Sequence, residues 1–123
     1  MEASRTILIV DDEAPVRTVL CEYLSARGYH VIESAGAEQA FAALSACPDI
    51  ELVITDIMMP GEANGFELGQ RLRVEYPEVK VLFMSGNPGA MKLSALGNPT
   101  ALMAKPFRLP ALMQRVEGLI AAV

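Results

Sequence analysis

Short apolar runs alternate with amphipathic stretches along the whole chain. Apolar runs that end in turn or charged residues predict five β-strands, at residues 7–10, 30–33, 52–56, 79–84 and 101–104. Between and after them, apolar positions at helical spacing predict α-helices at residues 14–27, 37–46, 66–75 and 109–122. Strands and helices that alternate in this way favour an α/β fold, with a doubly wound parallel sheet and helices on both of its faces.

The segment at residues 87–100 departs from this alternation. Glycine and proline, which break regular structure, interrupt it, and only residues 90–96, about two turns of helix, could be helical. The helix expected between the fourth and fifth strands is therefore short, irregular or absent. No linker or internal repeat divides the chain, and 123 residues is the length of one domain. We expect a single domain over residues 1–123.

Composition and charge narrow the classes of function. The net charge is −5 and no run of lysine or arginine is present, which argues against nucleic acid as a direct partner. No apolar stretch approaches the roughly 20 residues of a membrane span, and residues 1–5 lead into the first strand without the apolar region of a signal peptide. We therefore expect a cytoplasmic protein. Cys21, Cys47 and His30 lack the spacing of a metal or redox site and are expected to be structural.

Four of the predicted strands end in reactive side chains. Asp11 and Asp12 follow the first strand, Asp56 ends the third, Ser85 follows the fourth and Lys105 follows the fifth. Because the carboxyl ends of parallel strands share one edge of the sheet, these side chains should surround one crevice. Clustered carboxylates repel one another and favour a bound cation, for which Mg²⁺ is the best candidate. The lysine would pair with an anion, and an aspartate can attack phosphorus and form an aspartyl-phosphate.

Two other classes of function fit these residues less well. A phosphatase or phosphotransferase with an aspartyl-phosphate usually needs a second acidic residue two positions after the nucleophile, which here is Met58, and the chain has no room for a substrate cap. A flavin or nucleotide binder would need a phosphate loop rich in glycine, serine or threonine after the first strand. Asp11, Asp12 and Glu13 stand there instead and would repel phosphate.

In their order and position, these residues resemble the receiver domain of two-component response regulators, over essentially the whole chain. The matching residues are Asp11-Asp12, Asp56 within Thr-Asp-Ile-Met-Met-Pro-Gly, Ser85-Gly86 and Lys105-Pro106-Phe107. The resemblance implies a flavodoxin-like sheet of five parallel strands in the order 2-1-3-4-5.

The resemblance also implies a phosphoacceptor and a metal site. Asp56 would accept the phosphoryl group and would contribute to the Mg²⁺ site. Asp12 would bind the metal directly, and Asp11 would bind it through water. The backbone carbonyl of Met58 would be a further ligand, so that the type of side chain at this position need not matter.

Two further residues would act on the phosphoryl group itself. By the resemblance, Ser85 would contact the phosphoryl group and move toward it on activation, and Lys105 would form an ion pair with it. The Lys105–Pro106 peptide bond is expected to be cis, although X-Pro bonds are usually trans. Leu102 stands three residues before the lysine, where many receivers carry an aromatic residue that swings between exposed and buried positions. The chain therefore lacks the usual aromatic residue at this position.

The implied function is a phosphorylation-controlled binding module and not an enzyme with an external substrate. A histidine kinase or a histidine phosphotransfer protein would donate the phosphoryl group. A downstream protein would then bind the surface formed by the segment 87–100, the fifth strand and the last helix. The oligomeric state, a homodimer included, is left open. Two alternatives remain: the C-terminal receiver of a hybrid sensor histidine kinase, which the motifs at residues 84–88 and 104–109 resemble, and a degenerate receiver with little switching.

Overall fold

A computed structural model of the chain describes residues 5–57, 65–86 and 100–121. Five strands in these ranges form one parallel sheet: Thr6–Val10 (β1), His30–Ser34 (β2), Ile50–Asp56 (β3), Lys80–Ser85 (β4) and Thr100–Ala104 (β5). The helices are Ala14–Ser25 (α1), Ala37–Ala46 (α2), Gly65–Glu75 (α3) and Leu109–Ala121 (α4). The strand order β2-β1-β3-β4-β5 confirms the predicted flavodoxin-like α/β sheet. None of the helices within the described ranges has the length and apolar character needed to cross a membrane.

Two aliphatic layers, one on each face of the sheet, form the core. Successive residues of a strand point to opposite faces, and β1 shows this division: Ile7 and Ile9 belong to one layer, and Leu8 and Val10 belong to the other. Helices α1 and α4 cover the first layer, whereas α2 and α3 cover the second. Because both faces are covered, the central strands are apolar at nearly every position, which explains their continuous apolar runs in the sequence.

The helices and strands begin and end within two residues of their predicted positions. The end of α1 shows how the chain is capped there. Gly28 has a φ of 93° and its N–H donates to the carbonyl of Ser25 (3.0 Å), while the N–H of Tyr29 donates to the carbonyl of Leu24 (3.3 Å). This nested pair is a Schellman motif, which glycine adopts without steric cost. Gly28 therefore ends α1.

Strand β4 is displaced by one residue from its predicted position. The N–H of Val79 donates to the carbonyl of Tyr76 in the turn after α3 (3.0 Å), so Val79 closes that turn instead of joining the sheet. At the other end, Ser85 pairs with Ala104 of β5, which extends the strand by one residue. The short helix considered at residues 90–96 and the backbone of Met58 lie outside the described residues.

Helix α3 approaches the sheet closely at Gly69. A Cβ atom at this position would overlap the ring of Phe83 in β4, and Phe83 is itself almost fully buried. The glycine is therefore required by packing, because it lets the helix backbone lie against an aromatic ring in an otherwise aliphatic core.

Candidate functional site

The carboxyl ends of β1 and β3 bring three carboxylates together. The two strands are adjacent, and their register pairs Val10 with Thr55. Asp11 and Asp56 are the next residues after this pair, so they lie side by side. Together with Asp12 they offer one carboxylate oxygen each, all within 4.8 Å of one another. Asp11 and Asp56 are buried, whereas Asp12 is exposed. The three aspartates that the sequence indicates for a metal site therefore lie together in the structure.

Asp11 is held at the start of the β1–α1 loop by three hydrogen bonds. Its Oδ1 atom accepts the N–H of Glu13 (2.9 Å), and its own N–H donates to the carbonyl of Ser34 at the end of β2 (3.1 Å). Its carbonyl oxygen accepts a hydrogen bond from Nη1 of Arg17 (2.6 Å). The second carboxylate oxygen, Oδ2, is buried and has no hydrogen-bond partner among the residues that the structure describes.

Lys105 reaches this cluster from the end of β5. The peptide bond between Lys105 and Pro106 is cis, as the resemblance implies. The Nζ atom of Lys105 donates a hydrogen bond to Oδ2 of Asp56 (2.6 Å) and lies 3.6 Å from Oδ2 of Asp11. With 23% of its side chain exposed, Lys105 lies at the boundary between the buried carboxylates and solvent.

Ser85 is buried at the end of β4, next to this cluster. The register of β3 and β4 pairs Asp56 with Met84, so Ser85 lies one position beyond the level of Asp56. Its carbonyl oxygen accepts the N–H of Lys105 (2.8 Å). This backbone hydrogen bond ties the two strand ends that carry the hydroxyl and the ammonium group.

Burial and charge act on the pKa values of the site in opposite directions. Desolvation by burial is the largest effect on Asp11 and raises the pKa of its carboxyl group, while the Glu13 N–H and the charge of Lys105 lower it only in part. Burial lowers the pKa of Lys105, but the hydrogen bond to Asp56 and the charges of Asp11 and Asp56 outweigh it, so this pKa is raised. The site thus keeps Lys105 charged and penalises a charged Asp11 that has no further cation beside it.

A comparison with known families decides what kind of protein carries this site. The family model described as the response regulator receiver domain matches residues 7–117. This chain belongs to that family. The match runs from β1 into α4 and so includes every strand of the sheet.

Individual relatives and solved structures that resemble this chain are also response regulator proteins. The response regulator receiver protein CpdR of Brucella abortus is 31% identical, and the match covers 96% of this chain and 98% of that relative. A receiver protein from Sinorhizobium medicae superposes with a TM-score of 0.88 at 25% identity, covering 97% of this chain and 96% of that one. TrrA of Thermotoga maritima, solved in complex with Mg²⁺-BeF, superposes at 0.82 with 27% identity, covering 94% and 98%. The receiver spans less than half the length of several other curated relatives.

The donor set of the receiver fits a hard divalent cation. Three carboxylates offer oxygen atoms within 4.8 Å of one another, and oxygen is the ligand type that Mg²⁺ prefers. Oδ2 of Asp11 adds a second indication, since a buried carboxylate oxygen without a hydrogen-bond partner among the described residues is costly unless a cation compensates it. The expected contribution of the Met58 carbonyl falls outside the described residues.

The receiver also contains a site contact that sequence reasoning missed. Arg17 lies in the first turn of α1 and bonds the backbone of Asp11, although its spacing from the aspartates suggests no role. One signal was available in the sequence: a cation is unfavourable at the N-terminal end of a helix, where the helix dipole is positive. A residue that is unfavourable for its own helix in this way often has a role outside that helix.

An apolar groove of about 470 Å³ opens beside Lys105. Helix α1 forms one wall and the β5–α4 loop forms the other, and their apolar lining residues are Val16, Val19, Leu20, Pro106, Phe107 and Leu109. Half of the Val19 residue surface is exposed, and it is one of two large hydrophobic residues exposed in the described part of the chain. Leu102, in contrast, is half-buried and packs against the core layer beneath α2 and α3.

Proposed function

We propose that the chain is a single receiver domain over residues 1–123 that accepts a phosphoryl group on Asp56 in a Mg²⁺-dependent reaction. The observation that carries this proposal is that Asp11, Asp12 and Asp56 offer carboxylate oxygens within 4.8 Å of one another, while Oδ2 of Asp56 accepts a 2.6 Å hydrogen bond from Lys105. A nucleophilic carboxylate beside a cation site and a fixed ammonium group suits phosphoryl transfer, which depends on positioning and on neutralising charge.

In the proposed reaction, a carboxylate oxygen of Asp56 attacks the phosphorus atom of a donor phosphohistidine. A new P–O bond forms while the P–N bond breaks, and the imidazole nitrogen of the donor leaves with the electron pair. Lys105 exchanges its hydrogen bond with Asp56 for one with the new phosphoryl group, and the Ser85 hydroxyl contacts another phosphoryl oxygen. Water then hydrolyses the aspartyl-phosphate, which releases inorganic phosphate and restores the Asp56 carboxylate. The chain would therefore be a phosphoacceptor that modifies itself and not an enzyme that transforms a separate substrate.

Asp11, Asp12 and Asp56 would hold the metal ion, with the Met58 carbonyl as a further ligand. When bound, Mg²⁺ neutralises the negative charge that collects on the phosphoryl and carboxylate oxygens. The presence of Mg²⁺-BeF in the TrrA structure supports this choice of cation. The raised pKa of Asp11 supports it as well, since a bound cation would stabilise the charged form of this buried carboxylate.

The donor would be a histidine kinase or a histidine phosphotransfer protein that docks on the apolar groove beside Lys105. The groove borders the acceptor site, since Lys105 both lines it and contacts Asp56. Its half-exposed Val19 gives a partner an apolar contact that can be desolvated. Docking there would bring a histidine on the partner's surface to the carboxyl edge of the sheet.

Phosphorylation would then bias the receiver toward a conformer that a downstream protein recognises. The proposed reaction is the same for the chain alone, for a homodimer and for the receiver of a hybrid sensor kinase. The match to only part of several longer relatives is compatible with each of these arrangements.

Intact-mass measurement tests the proposed acceptor directly. The chain is incubated with Mg²⁺ and acetyl phosphate or phosphoramidate, beside Asp56→Asn and a matched control, Asp49→Asn, which removes an exposed aspartate just before β3. We expect the wild type and the control to gain one phosphoryl group, and Asp56→Asn or EDTA-treated protein to gain none. Labelling of Asp56→Asn would place the acceptor elsewhere, and folded wild type that gains nothing from either small donor would point to a degenerate receiver.

A further inference from the structure

Arg17 makes two polar contacts that the proposed phosphoryl transfer does not use. Its Nη1 atom donates to the carbonyl oxygen of Asp11 at 2.6 Å, and its Nε atom lies 3.6 Å from Oε1 of Glu33 on β2. Only 19% of the Arg17 side chain is exposed. The guanidinium group thus bridges the β1–α1 loop and β2, and the short hydrogen bond to the loop is a charge-assisted one.

The contacted carbonyl belongs to the peptide group that joins Asp11 to Asp12. A peptide group is planar, so a hydrogen bond that fixes its carbonyl oxygen also limits the direction in which the Asp12 side chain leaves the backbone. The Asp12 side chain needs such support, because it is exposed and no hydrogen bond or ion pair holds it among the described residues. Asp11, in contrast, is also held through its side chain by the Glu13 N–H.

We propose that Arg17 is a positioning residue for the metal site, which orients Asp12 by fixing the Asp11–Asp12 peptide group. The inference rests on the proposed Mg²⁺ site. Arg17 would not touch the ion; it would act through the backbone, as hydrogen-bond partners behind metal ligands commonly do. Glu33 would in turn hold the guanidinium group against the loop.

Removal of Arg17 should change the Mg²⁺ affinity in opposite directions, depending on whether Arg17 positions Asp12 or acts only as a nearby positive charge. If Arg17 acted only through its charge, its removal would reduce repulsion of Mg²⁺, and the affinity would rise. If Arg17 orients Asp12, its removal frees the peptide group and the affinity falls, by about tenfold or more for the loss of a partner behind a metal ligand. The sign of the change therefore separates the two roles.

The test measures Mg²⁺ affinity by titration calorimetry for the full chain and for Arg17→Met, Arg17→Lys and Arg27→Met. The control Arg27 lies just after α1 and stacks on Tyr23, so its variant loses the same charge without touching the site. Circular dichroism and thermal unfolding in EDTA establish that each variant is folded. Arg17→Lys keeps the charge and can still donate one hydrogen bond to the Asp11 carbonyl oxygen.

We expect the affinity to decrease in the order wild type, Arg17→Lys, Arg17→Met, with the Met variant about tenfold weaker than wild type and Arg27→Met unchanged. An Arg17→Met variant that binds Mg²⁺ as tightly as wild type, or more tightly, would overturn the positioning role while leaving the proposed metal site intact. A folded wild type that binds no Mg²⁺ would instead remove the metal site and, with it, this inference.

Discussion

Lys105 donates a 2.6 Å hydrogen bond to Asp56 across 49 positions of sequence. The contact joins the ends of β5 and β3, although β4 lies between these strands in the sheet. Its ammonium group is held on Oδ2 of the proposed phosphoacceptor, so a phosphoryl group on Asp56 would bring new acceptor oxygens to Lys105. This relationship makes Lys105 the side chain best placed to report the state of Asp56 to the β5–α4 loop.

Substitution of Lys105 tests this coupling. Lys105→Met should retain Mg²⁺ binding and strengthen it by about threefold to tenfold, because the substitution removes a competing positive charge from a partly exposed site. The spectral change that wild type shows on phosphorylation should be reduced or lost. Titration calorimetry and NMR spectra with and without acetyl phosphate measure the two effects, and Lys80→Met, at the opposite end of β4, is the matched control. A Lys105→Met variant with the full wild-type spectral response would exclude Lys105 from the readout.

The raised pKa of Asp11 predicts an unusual pH dependence of stability. A carboxyl group whose pKa is higher in the folded state than its usual value of 3.8 destabilises the fold once it is charged, so its penalty is present at neutral pH and absent at low pH. Asp11→Asn keeps an oxygen for the Glu13 N–H and removes the charge. In EDTA at pH 7 it should stabilise the chain by about 0.5–2 kcal/mol, the usual range for stabilising substitutions.

The advantage of Asp11→Asn should disappear as the pH falls through the raised pKa of Asp11 toward 3.8, because wild type then becomes neutral at this position too. Urea unfolding of both proteins between pH 7 and pH 4 measures this. Mg²⁺ should reverse the ranking, since a ligand at 100 times its dissociation constant stabilises wild type by about 2.7 kcal/mol and the variant has lost a metal ligand. A stability difference that does not vary with pH would contradict a charged, penalised Asp11 at pH 7.

Because α3 packs closely on β4, a side chain at Gly69 should lower the stability of the fold. Gly69→Ala should destabilise the chain by about 1–3 kcal/mol, because its Cβ would overlap the ring of Phe83 and the core would have to shift. Gly118→Ala on α4 is the matched control, since a Cβ there meets open space and alanine favours helix by up to about 1 kcal/mol. Thermal or urea unfolding compares them. Equal stability of Gly69→Ala and wild type would show that α3 can move away from the sheet.

If protein donors dock on the apolar groove, a substitution there should slow phosphotransfer from protein donors and not from small-molecule donors. Val19→Asp should slow phosphotransfer from a histidine kinase or phosphotransfer protein by at least about tenfold, as the loss of a central apolar contact costs roughly 1–2 kcal/mol or more. Labelling by acetyl phosphate should not change, because Asp56 is untouched. Val74→Asp is the control, since Val74 is 80% exposed on α3. If Val19→Asp accepts the phosphoryl group from a protein donor as fast as wild type does, the donor docks elsewhere.

The site residues differ in how far the sequence could predict their surroundings. That Asp11 and Asp56 share one edge follows from each standing at the end of an apolar strand, given a parallel sheet. That Lys105 contacts Oδ2 of Asp56 requires the order and register of strands distant in sequence. The contact of Arg17 with the Asp11 carbonyl was not predicted, because it depends on the path of a loop.

The amino-acid pattern alone was enough to predict the α/β alternation, the positions of the strands within two residues and the set of reactive residues at their ends. These features are encoded locally, since burial on both faces of a sheet makes strands apolar throughout and helices show their own period. Which groups touch is visible only in the folded chain: Lys105 contacts Asp56, Arg17 contacts Asp11 and Gly69 lies against Phe83. Such contacts depend on the relative placement of packed elements, to within fractions of an ångström, which no local pattern of residues specifies.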